Sequence, residues 1–353
     1  MKSVGLATPL RDAEQVLRYL TRLRLIDHEL RFARTDVSLM IPLVRELSQA
    51  ELSELANRSS QASIVEMEFH ESAKMPKSLR EACSTILPPD LLLKIPRSYD
   101  AIGDIAVLEL DDELMEYSKS IGEWVMTLNP HLRLVVRKIE ATSGQFRTRK
   151  VDAIAGHGNT ETVHSEFSCK YRLDVNSVYF NPRLSHERMR VAEQVTDGEN
   201  VIDMFAGVGP YSILIAKTQP TAKVSSIDLN PAAFKYLKEN TLLNKVADRV
   251  SCYLGDSRKH ASIFGGVADR VIMNLPSNSS EFVDVAASLL KPEGGRVHYY
   301  TFTRRGETIQ DVAAGFRSLL KKAGRVVESF TFQRVLKEVS PTRVQVVLDS
   351  RVK

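Results

Sequence analysis

Apolar and polar positions follow two regular patterns in the second half of the chain. Short apolar runs, typical of buried parallel strands, are followed by stretches in which apolar residues recur every three or four positions, as on one face of a helix. This predicts strands at 200–204, 223–228, 250–254, 269–274 and 295–302, and helices at 210–218, 231–243, 279–290 and 307–323. Such alternation indicates an α/β fold with a doubly wound parallel sheet. Two further strand-like runs, 326–335 and 343–348, predict a closing hairpin around Pro341.

The first half of the chain has a different organisation. Residues 8 to about 69 combine a helical pattern at 13–25 with short apolar runs at 37–42 and 64–69, which predicts a small α+β module. A proline-rich stretch follows and resembles a connector. The middle segment predicts a strand at 105–110, a helix at 111–128, a strand at 132–139 and then a stretch rich in Gly, Arg and Thr. We therefore expect four parts: 1–70, 71–97, 98–190 and 191–353.

Composition indicates an ordinary globular protein of several domains. The chain has 353 residues, of which 43% are hydrophobic. It contains no apolar stretch approaching the roughly 18 residues of a membrane span and no apolar signal segment, so a cytoplasmic protein without a membrane anchor is expected. Three widely spaced cysteines form no Cys-x-x-Cys, so no metal site is predicted.

The positive charge is unevenly distributed. The net charge is only +4, but residues 131–190 contain eleven basic side chains against six acidic ones. Such a local excess attracts phosphates, although a solvated basic face is about equally compatible with it.

Two motifs at strand ends point to an adenosine-bearing cofactor. Asp203 ends the first strand of the sheet, and the loop Ala206-Gly207-Val208-Gly209 follows, where glycines allow close approach of the backbone to a ligand. Asp228 ends the next strand, nineteen residues after Gly209, at the distance typical of a carboxylate that binds ribose hydroxyls. Ser212 and Pro210 replace the pattern of a pyrophosphate loop, which favours S-adenosylmethionine over NAD.

Two more strand ends extend this site. Asp256 follows the third strand and could accept a hydrogen bond from an adenine amino group, or equally cap the next helix. Asn274-Leu275-Pro276 follows the fourth strand, where ligands of open α/β sheets bind. An Asn side chain there can present both a carbonyl and an amino group to a planar heterocycle.

These motifs resemble those of a known enzyme family. The run from Asp203 to Pro210, Asp228-Leu-Asn-Pro231, Leu242-Leu-Asn244, Asn274-Leu-Pro276 and the upstream Tyr179-Phe-Asn-Pro-Arg-Leu-Ser-His-Glu-Arg188 are similar to the archaeal and eukaryotic tRNA (guanine-37, N1) methyltransferases. The resemblance covers most of the chain, including Gly144-Gln-Phe-Arg-Thr-Arg149 and a small N-terminal module of the archaeal kind. A closing hairpin is also the usual end of a class I methyltransferase sheet.

The resemblance implies roles for particular residues. It implies S-adenosylmethionine as methyl donor, Glu187 as general base, and Arg147 facing guanine O6, although the residues alone do not separate Arg147 from Arg149. It also implies that Tyr179, Arg183, Asn274 and Pro276 support the target base. The expected cofactor site comprises the strand-end and loop residues Asp203, Phe205, Ala206, Gly207, Gly209, Asp228, Leu229, Asp256 and Asn274.

Three alternatives remain at the level of the sequence. Relatives in the wybutosine pathway methylate a tricyclic precursor or transfer an aminocarboxypropyl group, but the branch performing the latter reaction typically lacks Asn-Leu-Pro after strand four. A non-catalytic tRNA-binding protein is disfavoured because the glycine loop and the acidic strand ends are intact. The expected protein is therefore a monomeric enzyme that binds the anticodon loop and tertiary core of tRNA.

Overall fold

The structure is a computed structural model that describes residues 2–70, 76–139, 150–340 and 343–353. It divides into two compact units, residues 1–77 and 78–353. None of the helices in these described ranges is long and apolar enough to cross a membrane.

The first unit is a four-stranded antiparallel sheet with two helices. Its elements are β1 (Lys2–Pro9), α1 (Ala13–Arg22), β2 (Ala33–Arg34), β3 (Ser38–Pro42), α2 (Gln49–Ala56) and β4 (Ser63–Glu68), with strand order β2-β3-β1-β4. The predicted α+β character, the first helix and two strands are confirmed. The pattern missed β1, which pairs on both sides with other strands, and α2, which the capping box of Ser48 and Glu51 could have revealed.

The second unit begins with a small α/β layer. Its elements are α3 (Leu79–Cys83), α4 (Pro89–Leu92), β5 (Asp100–Ile102), β6 (Ile105–Leu108), a 3₁₀ helix (Asp112–Tyr117), α5 (Ser118–Leu128), β7 (Leu134–Lys138), β8 (Val151–Gly156), β9 (Glu161–Glu166), β10 (Cys169–Asp174), a second 3₁₀ helix (Pro182–Leu184) and α6 (Ser185–Ala192). Strands β5-β6-β7-β8 form one sheet, and β9 pairs with β10.

Two parts of this layer differ from the pattern-based expectation. Cys83, Leu87 and Ile95, from the stretch expected to be a connector, are buried in the apolar core formed with β6 and α5. The described residues from 150 onward, for which no strand was predicted, form three strands. Their side chains alternate only partly between apolar and polar, because β8 and β9 are half exposed, and this weakened the signal.

The large sheet matches the predicted alternation closely. Its elements are β11 (Asn200–Asp203), α7 (Pro210–Thr218), β12 (Lys223–Asp228), α8 (Pro231–Leu243), β13 (Val250–Leu254), α9 (Ser257–Phe264), β14 (Arg270–Met273), a 3₁₀ helix (Ser279–Phe282), α10 (Val283–Leu289), β15 (Gly295–Phe302), α11 (Ile309–Lys322), β16 (Val327–Ser340) and β17 (Arg343–Val352). The strand order is β13-β12-β11-β14-β15-β17-β16, parallel except for the closing hairpin.

Two asparagines, Asn240 on α8 and Asn244 directly after its last residue, attach the β9–β10 hairpin to this sheet domain. The Arg172 N–H donates to Asn240 Oδ1 at 2.7 Å, and the Lys170 N–H donates to Asn244 Oδ1 at 2.9 Å. The two amide groups donate back to the carbonyls of the same strand residues, at 3.0 and 2.7 Å. The side chains thus replace a partner strand along the edge of β10, and the middle layer is held beside the large sheet.

Candidate active site

A cavity of about 730 Å³ opens at the carboxyl ends of β11, β12, β13 and β14. The order of the strands reverses between β11 and β14, and such a switch point leaves the crevice in which ligands of open α/β sheets bind. Residues at the ends of these four strands line the cavity, together with parts of segment 179–188 and of the closing hairpin. The predicted strand-end signals therefore meet in one place.

The glycine loop between β11 and α7 forms one wall. Gly207 and Gly209 have φ angles of +56° and +92°, which favour glycine. Gly207 lines the cavity, and a Cβ there would meet nothing closer than 3.9 Å. Gly209 does not line it, contrary to expectation: a Cβ at Gly209 would lie 2.6 Å from Leu237, so this glycine is required for packing against α8.

Asp228 connects the end of β12 to this loop. Its Oδ2 accepts the Gly207 N–H at 2.6 Å, and its Oδ1 accepts the Asn230 N–H at 2.8 Å. Burial raises the pKa of Asp228, and these two backbone donors lower it by less. A carboxylate has about four acceptor positions, so this one, lining the cavity beside Leu229, retains capacity for two ligand hydroxyls.

Asp203 is not part of the cavity wall, although it was expected among the cofactor-binding residues. It is completely buried, and its Oδ2 accepts the Ser212 hydroxyl at 2.8 Å. Burial raises the pKa of this carboxyl to about 7. Asp203 thus supports the loop from below, while the next residues of the loop, Phe205 and Ala206, line the cavity.

Asp256 serves as a helix cap and also lines the cavity. Its Oδ1 accepts the Arg258 N–H at 2.9 Å at the start of α9. The two interpretations offered by the sequence are therefore compatible. Beside it, Phe205 packs edge-on against Phe282 with ring centroids 5.0 Å apart, and the Arg258 guanidinium lies 3.9 Å from the Phe282 ring. This side of the cavity suits a flat heterocycle.

Asn274, Leu275 and Pro276 also line the cavity. The Pro276 carbonyl accepts the Phe302 N–H at 3.2 Å, which fixes the turn against β15. Tyr179 lines the same cavity. The expected group of Tyr179, Asn274 and Pro276 is therefore brought together.

Arg183 and Arg147 stand apart from this group. Arg183 does not line the cavity; its Nε donates to Asp100 at 2.7 Å and its Nη2 to Ser98 at 3.2 Å, so it connects the start of the middle layer to the 3₁₀ helix before α6. Arg147 and the alternative Arg149 lie outside the described residues.

Glu187 lies on α6, buried behind the cavity wall rather than in it. It is 8% exposed, and it is absent from the cavity lining. Its Oε1 accepts the Tyr300 hydroxyl at 2.6 Å and Arg190 Nη2 at 2.6 Å, while its Oε2 accepts Arg190 Nε at 2.8 Å. The carboxylate is thus held by a bidentate arginine and one phenol.

Arg190 connects Glu187 to a second buried acid. Arg190 also binds Asp349 on β17. Asp349 Oδ1 in turn accepts a hydrogen bond from His298 Nδ1 at 2.7 Å. Arg270 donates to His298 Nε2 at 2.8 Å, so His298 is neutral with its proton on Nδ1, and burial lowers its pKa accordingly. Although burial opposes the charge of Asp349, the His298 and Arg190 donors hold its pKa below the usual range.

Most basic side chains of segment 131–190 that the structure describes are engaged in ion pairs. The pairs are Arg133 with Asp104, Arg137 with Asp152, Lys138 with Glu109, Arg172 with Glu161, Arg183 with Asp100, Arg188 with Glu166, and Arg190 with Glu187. The local charge excess is therefore smaller at the protein surface than the residue count suggests. Among the described residues, no cluster of His, Cys, Asp or Glu is arranged to hold a metal ion.

Comparisons with known proteins agree with this geometry. Residues 162–327 match the TRM5/TYW2 methyltransferase domain, and residues 79–160 match the TYW2 N-terminal domain. The chain is 37% identical to the tRNA (guanine(37)-N(1))-methyltransferase Trm5b of Pyrococcus abyssi over 99% of both chains. It is 36% identical to the tRNA(Phe) (4-demethylwyosine(37)-C(7)) aminocarboxypropyltransferase of Pyrococcus horikoshii, over 78% of this chain and 96% of that one. The solved complex of aTrm5 and tRNALeu superposes with a TM-score of 0.75 at 30% identity, covering 99% of both chains.

The chain belongs to the TRM5/TYW2 methyltransferase family. The family assignment and the class I fold predicted from the motifs are confirmed. The boundary between the two matched domains, at residues 160–162, falls at the start of β9.

Several residues that line the cavity were not predicted from the sequence. They are Tyr211, Arg188, Arg258, Lys337, Arg343 and Gln345. The charged run that contains Arg188 and the position of Tyr211 two residues after Gly209 were usable signals. Lys337, Arg343 and Gln345 come from the closing hairpin, whose return to the cavity no local pattern reveals.

Proposed function

We propose that this chain transfers a methyl group from S-adenosylmethionine to N1 of the guanine at position 37 of tRNA, with Glu187 as the general base. The observation that carries the proposal is the cavity itself. One pocket combines the glycine loop, the Asp228 carboxylate and the Asn274-Leu275-Pro276 turn, in a chain whose similarity to the Pyrococcus abyssi Trm5b extends over its whole length.

The cavity suits S-adenosylmethionine in size and chemistry. Asp228 would bind the ribose hydroxyls, the Gly207 backbone would allow close approach, and Phe205, Leu229 and Asp256 would surround the adenine. The bound cofactor supplies an activated methyl group on a positively charged sulfur. No pyrophosphate needs to be accommodated, which agrees with a sequence that has Ser212 where a pyrophosphate-binding loop has its third glycine, and Pro210 directly after Gly209.

The acceptor atom explains the need for a base. Guanine N1 carries a hydrogen at neutral pH, so methylation requires removal of that proton and donors that stabilise the charge developing on O6. Glu187 is the proposed acceptor of the proton, and Arg147 is the proposed donor to O6. A guanine stacked in the anticodon loop cannot reach such a pocket, so the nucleotide must be extruded.

The mouth of the cavity offers contacts for the extruded nucleotide. Tyr179, Asn274 and Pro276 would hold the base, and Arg183 would order the neighbouring backbone through Asp100. Lys337 and Arg343 also line the cavity and have no ion-pair partner among the described residues, so they are candidates for phosphate contacts. Recognition of the tRNA tertiary core would fall to residues 1–70.

Mass spectrometry of a modified transcript tests the reaction. An unmodified tRNA transcript with guanine at position 37 is incubated with the enzyme and methyl-labelled S-adenosylmethionine, then digested to nucleosides. We expect labelled N1-methylguanosine from position 37, and none from a transcript with adenine at that position. Absence of methylated guanosine would overturn the proposal.

Substitution of Glu187 tests the assignment of the base. Glu187→Gln keeps the shape of the side chain, so both tRNA and cofactor affinities should stay close to those of the wild type. The single-turnover rate should fall by about 10²–10⁴-fold, the usual contribution of a general base. The wild-type rate should rise with pH, because a general base must be deprotonated to accept a proton, and this rise should disappear in Glu187→Gln.

Arg147→Ala gives the matched comparison, because it should also slow the chemical step but keep the pH-dependent rise. A Glu187→Gln enzyme with the wild-type rate across the pH range would remove Glu187 from the mechanism.

Transfer of an aminocarboxypropyl group is the second candidate. It is favoured by the match of residues 79–160 to the TYW2 N-terminal domain and by the similarity to the Pyrococcus horikoshii aminocarboxypropyltransferase. Methylation of a tricyclic wyosine precursor is a third reaction at the same position. S-adenosylmethionine labelled in its carboxyl carbon separates these reactions, because that label reaches the tRNA only in aminocarboxypropyl transfer. A precursor-containing tRNA tests the third.

The location and assembly of the enzyme remain predictions. We expect a cytoplasmic monomer, since a single chain contains every proposed chemical group. Light scattering of the purified protein, alone and with tRNA, measures the assembly state.

A further inference from the structure

A buried glutamine lines the cavity with its side-chain amide unbonded. Gln345, the third residue of β17, is 3% exposed and belongs to the cavity lining. Its amide makes no hydrogen bond to any residue that the structure describes, yet neither of the two polar atoms is fully enclosed. Buried polar side chains are nearly always hydrogen-bonded. Because the cavity is the space that Gln345 lines, a molecule bound there can supply the partner.

Gln345 lies at the end of the cavity that the acceptor base is expected to occupy. It pairs with Phe302 of β15, and the Phe302 N–H donates to the carbonyl of Pro276. Four strand spacings separate β17 from β12, which ends at Asp228, so the two strands lie roughly 19 Å apart across the sheet. The Gln345 amide is therefore placed for the nucleotide rather than for the ribose of the cofactor.

Gln345 also shares a sheet face with the groups that hold the proposed base. Residues two positions apart on a strand share a face, as do residues directly opposite in an antiparallel pair. Gln345 therefore lies on the same face as Tyr300 of β15 and Asp349 of β17. Tyr300 donates to Glu187, and Asp349 binds the arginine that holds Glu187. The free amide and the proposed base thus belong to one side of the β15–β17 pair.

We propose that Gln345 recognises the target guanine at its N2 amino group and N3, and so selects guanine as the acceptor base. The inference rests on the proposed function and adds a specificity-determining contact to it. Guanine presents the N2 donor beside the N3 acceptor, and a primary amide presents an acceptor beside two donors. Gln345 Oε1 accepts from N2 and Nε2 donates to N3, which leaves N1 to Glu187 and O6 to Arg147. Adenine has no amino group at this position and forms only the N3 contact.

Inosine isolates this contact, because its base is guanine without the N2 amino group. It keeps N1 and O6, so the proposed roles of Glu187 and Arg147 apply to both bases. A base that lacks the amino group leaves the Gln345 oxygen unpaired in a buried site, and such sites discriminate strongly. A good bidentate pair favours the correct base by roughly 5- to 150-fold. We therefore expect a preference for guanine over inosine within this range.

Two tRNAs that differ only in guanosine or inosine at position 37, assembled by ligation, test the contact. The ratio of kcat/KM for the two tRNAs is measured for the full-length wild type, Gln345→Met, Gln345→Ala and Gln333→Ala. Methionine keeps the length of the side chain but cannot form the amide pair. We expect both Gln345 variants to lose the preference for guanosine by the factor given above. Gln333→Ala, an exposed glutamine on β16 outside the cavity lining, should keep the wild-type ratio.

The ratio separates recognition from a structural role. Both tRNAs are compared on one protein preparation, so a loss of folded enzyme cancels, and any intrinsic difference between the bases is common to all variants. A wild-type ratio in Gln345→Met, with guanosine still methylated, overturns the contact and leaves the proposed function intact. Equal slowing on both tRNAs shows that Gln345 only supports the fold or binds water, which also overturns it. A wild-type enzyme that forms no N1-methylguanosine overturns both proposals.

Discussion

Replacement of Asp228 gives the most direct test of the cofactor site. The Asp228 carboxylate accepts N–H donors from Gly207 and Asn230 and faces the cavity with its remaining acceptor positions. Asp228→Ala removes these interactions together. A hydrogen bond to a charged group contributes about 1.5–3 kcal/mol, so loss of a single ribose contact weakens binding roughly 10- to 150-fold, and loss of two weakens it further.

Asp228→Asn distinguishes the charge from the shape of the side chain. Asparagine retains one acceptor oxygen, but its amide group would face one of the two backbone N–H donors. We therefore expect an affinity between those of the wild type and Asp228→Ala. Because burial raises the pKa of Asp228, wild-type affinity should also fall in mildly acidic solution as the carboxylate is protonated, and Asp228→Asn should lack this dependence.

Isothermal titration calorimetry with S-adenosylhomocysteine measures these affinities without turnover. Asp269→Ala is a matched control, since Asp269 accepts the Asn200 N–H at 2.9 Å and binds Lys291 but does not line the cavity. It should lower thermal stability and leave the Kd unchanged. An Asp228→Ala enzyme that binds with the wild-type Kd would refute the assignment of Asp228 to the ribose.

Three further predictions concern modules and stability. Removal of residues 1–77 should leave cofactor affinity intact, because all cavity residues lie at 179–345. It should weaken tRNA binding more than it slows the chemical step. Equal tRNA affinity of the truncated and the intact protein would contradict a recognition role for this unit. Burial raises the pKa of Asp203 to about 7 in the folded protein, against an ordinary value of 3.8, so its charge lowers stability as pH rises from about 4 to 7, by roughly 1 kcal/mol per pH unit. Urea unfolding should therefore show a smaller loss across this range for Asp203→Asn, and parallel profiles would contradict the shift. Asn240→Ala should lower the free energy of unfolding by at least about 2 kcal/mol, because it leaves buried backbone groups of Arg172 and Val208 unpaired. Leu242→Ala, at a 69% exposed position, should lower it by under about 0.5 kcal/mol. Similar unfolding midpoints for the two variants would refute this role of Asn240.

Local sequence determined most of the large sheet and the strand-end part of its site. Helices α7 and α8 occupy the predicted ranges because buried parallel strands and the helices between them are strongly patterned over short distances. Gly207, Asp228, Asp256 and Asn274 line one cavity because parallel strands bring their carboxyl ends to the same edge. The strand order therefore suffices to bring these four residues together.

Tertiary structure decided what lies behind and around that edge. Glu187 was expected beside the substrate, but its contacts with Tyr300 and Arg190 place it behind the wall, 113 positions from Tyr300 in the chain. Asp203 and Gly209 belong to the recognised motif, yet one supports Ser212 and the other packs against Leu237. Burial and long-range hydrogen bonds set these roles, and both depend on which residues distant in the chain are packed together, which no local pattern of apolar and polar positions specifies.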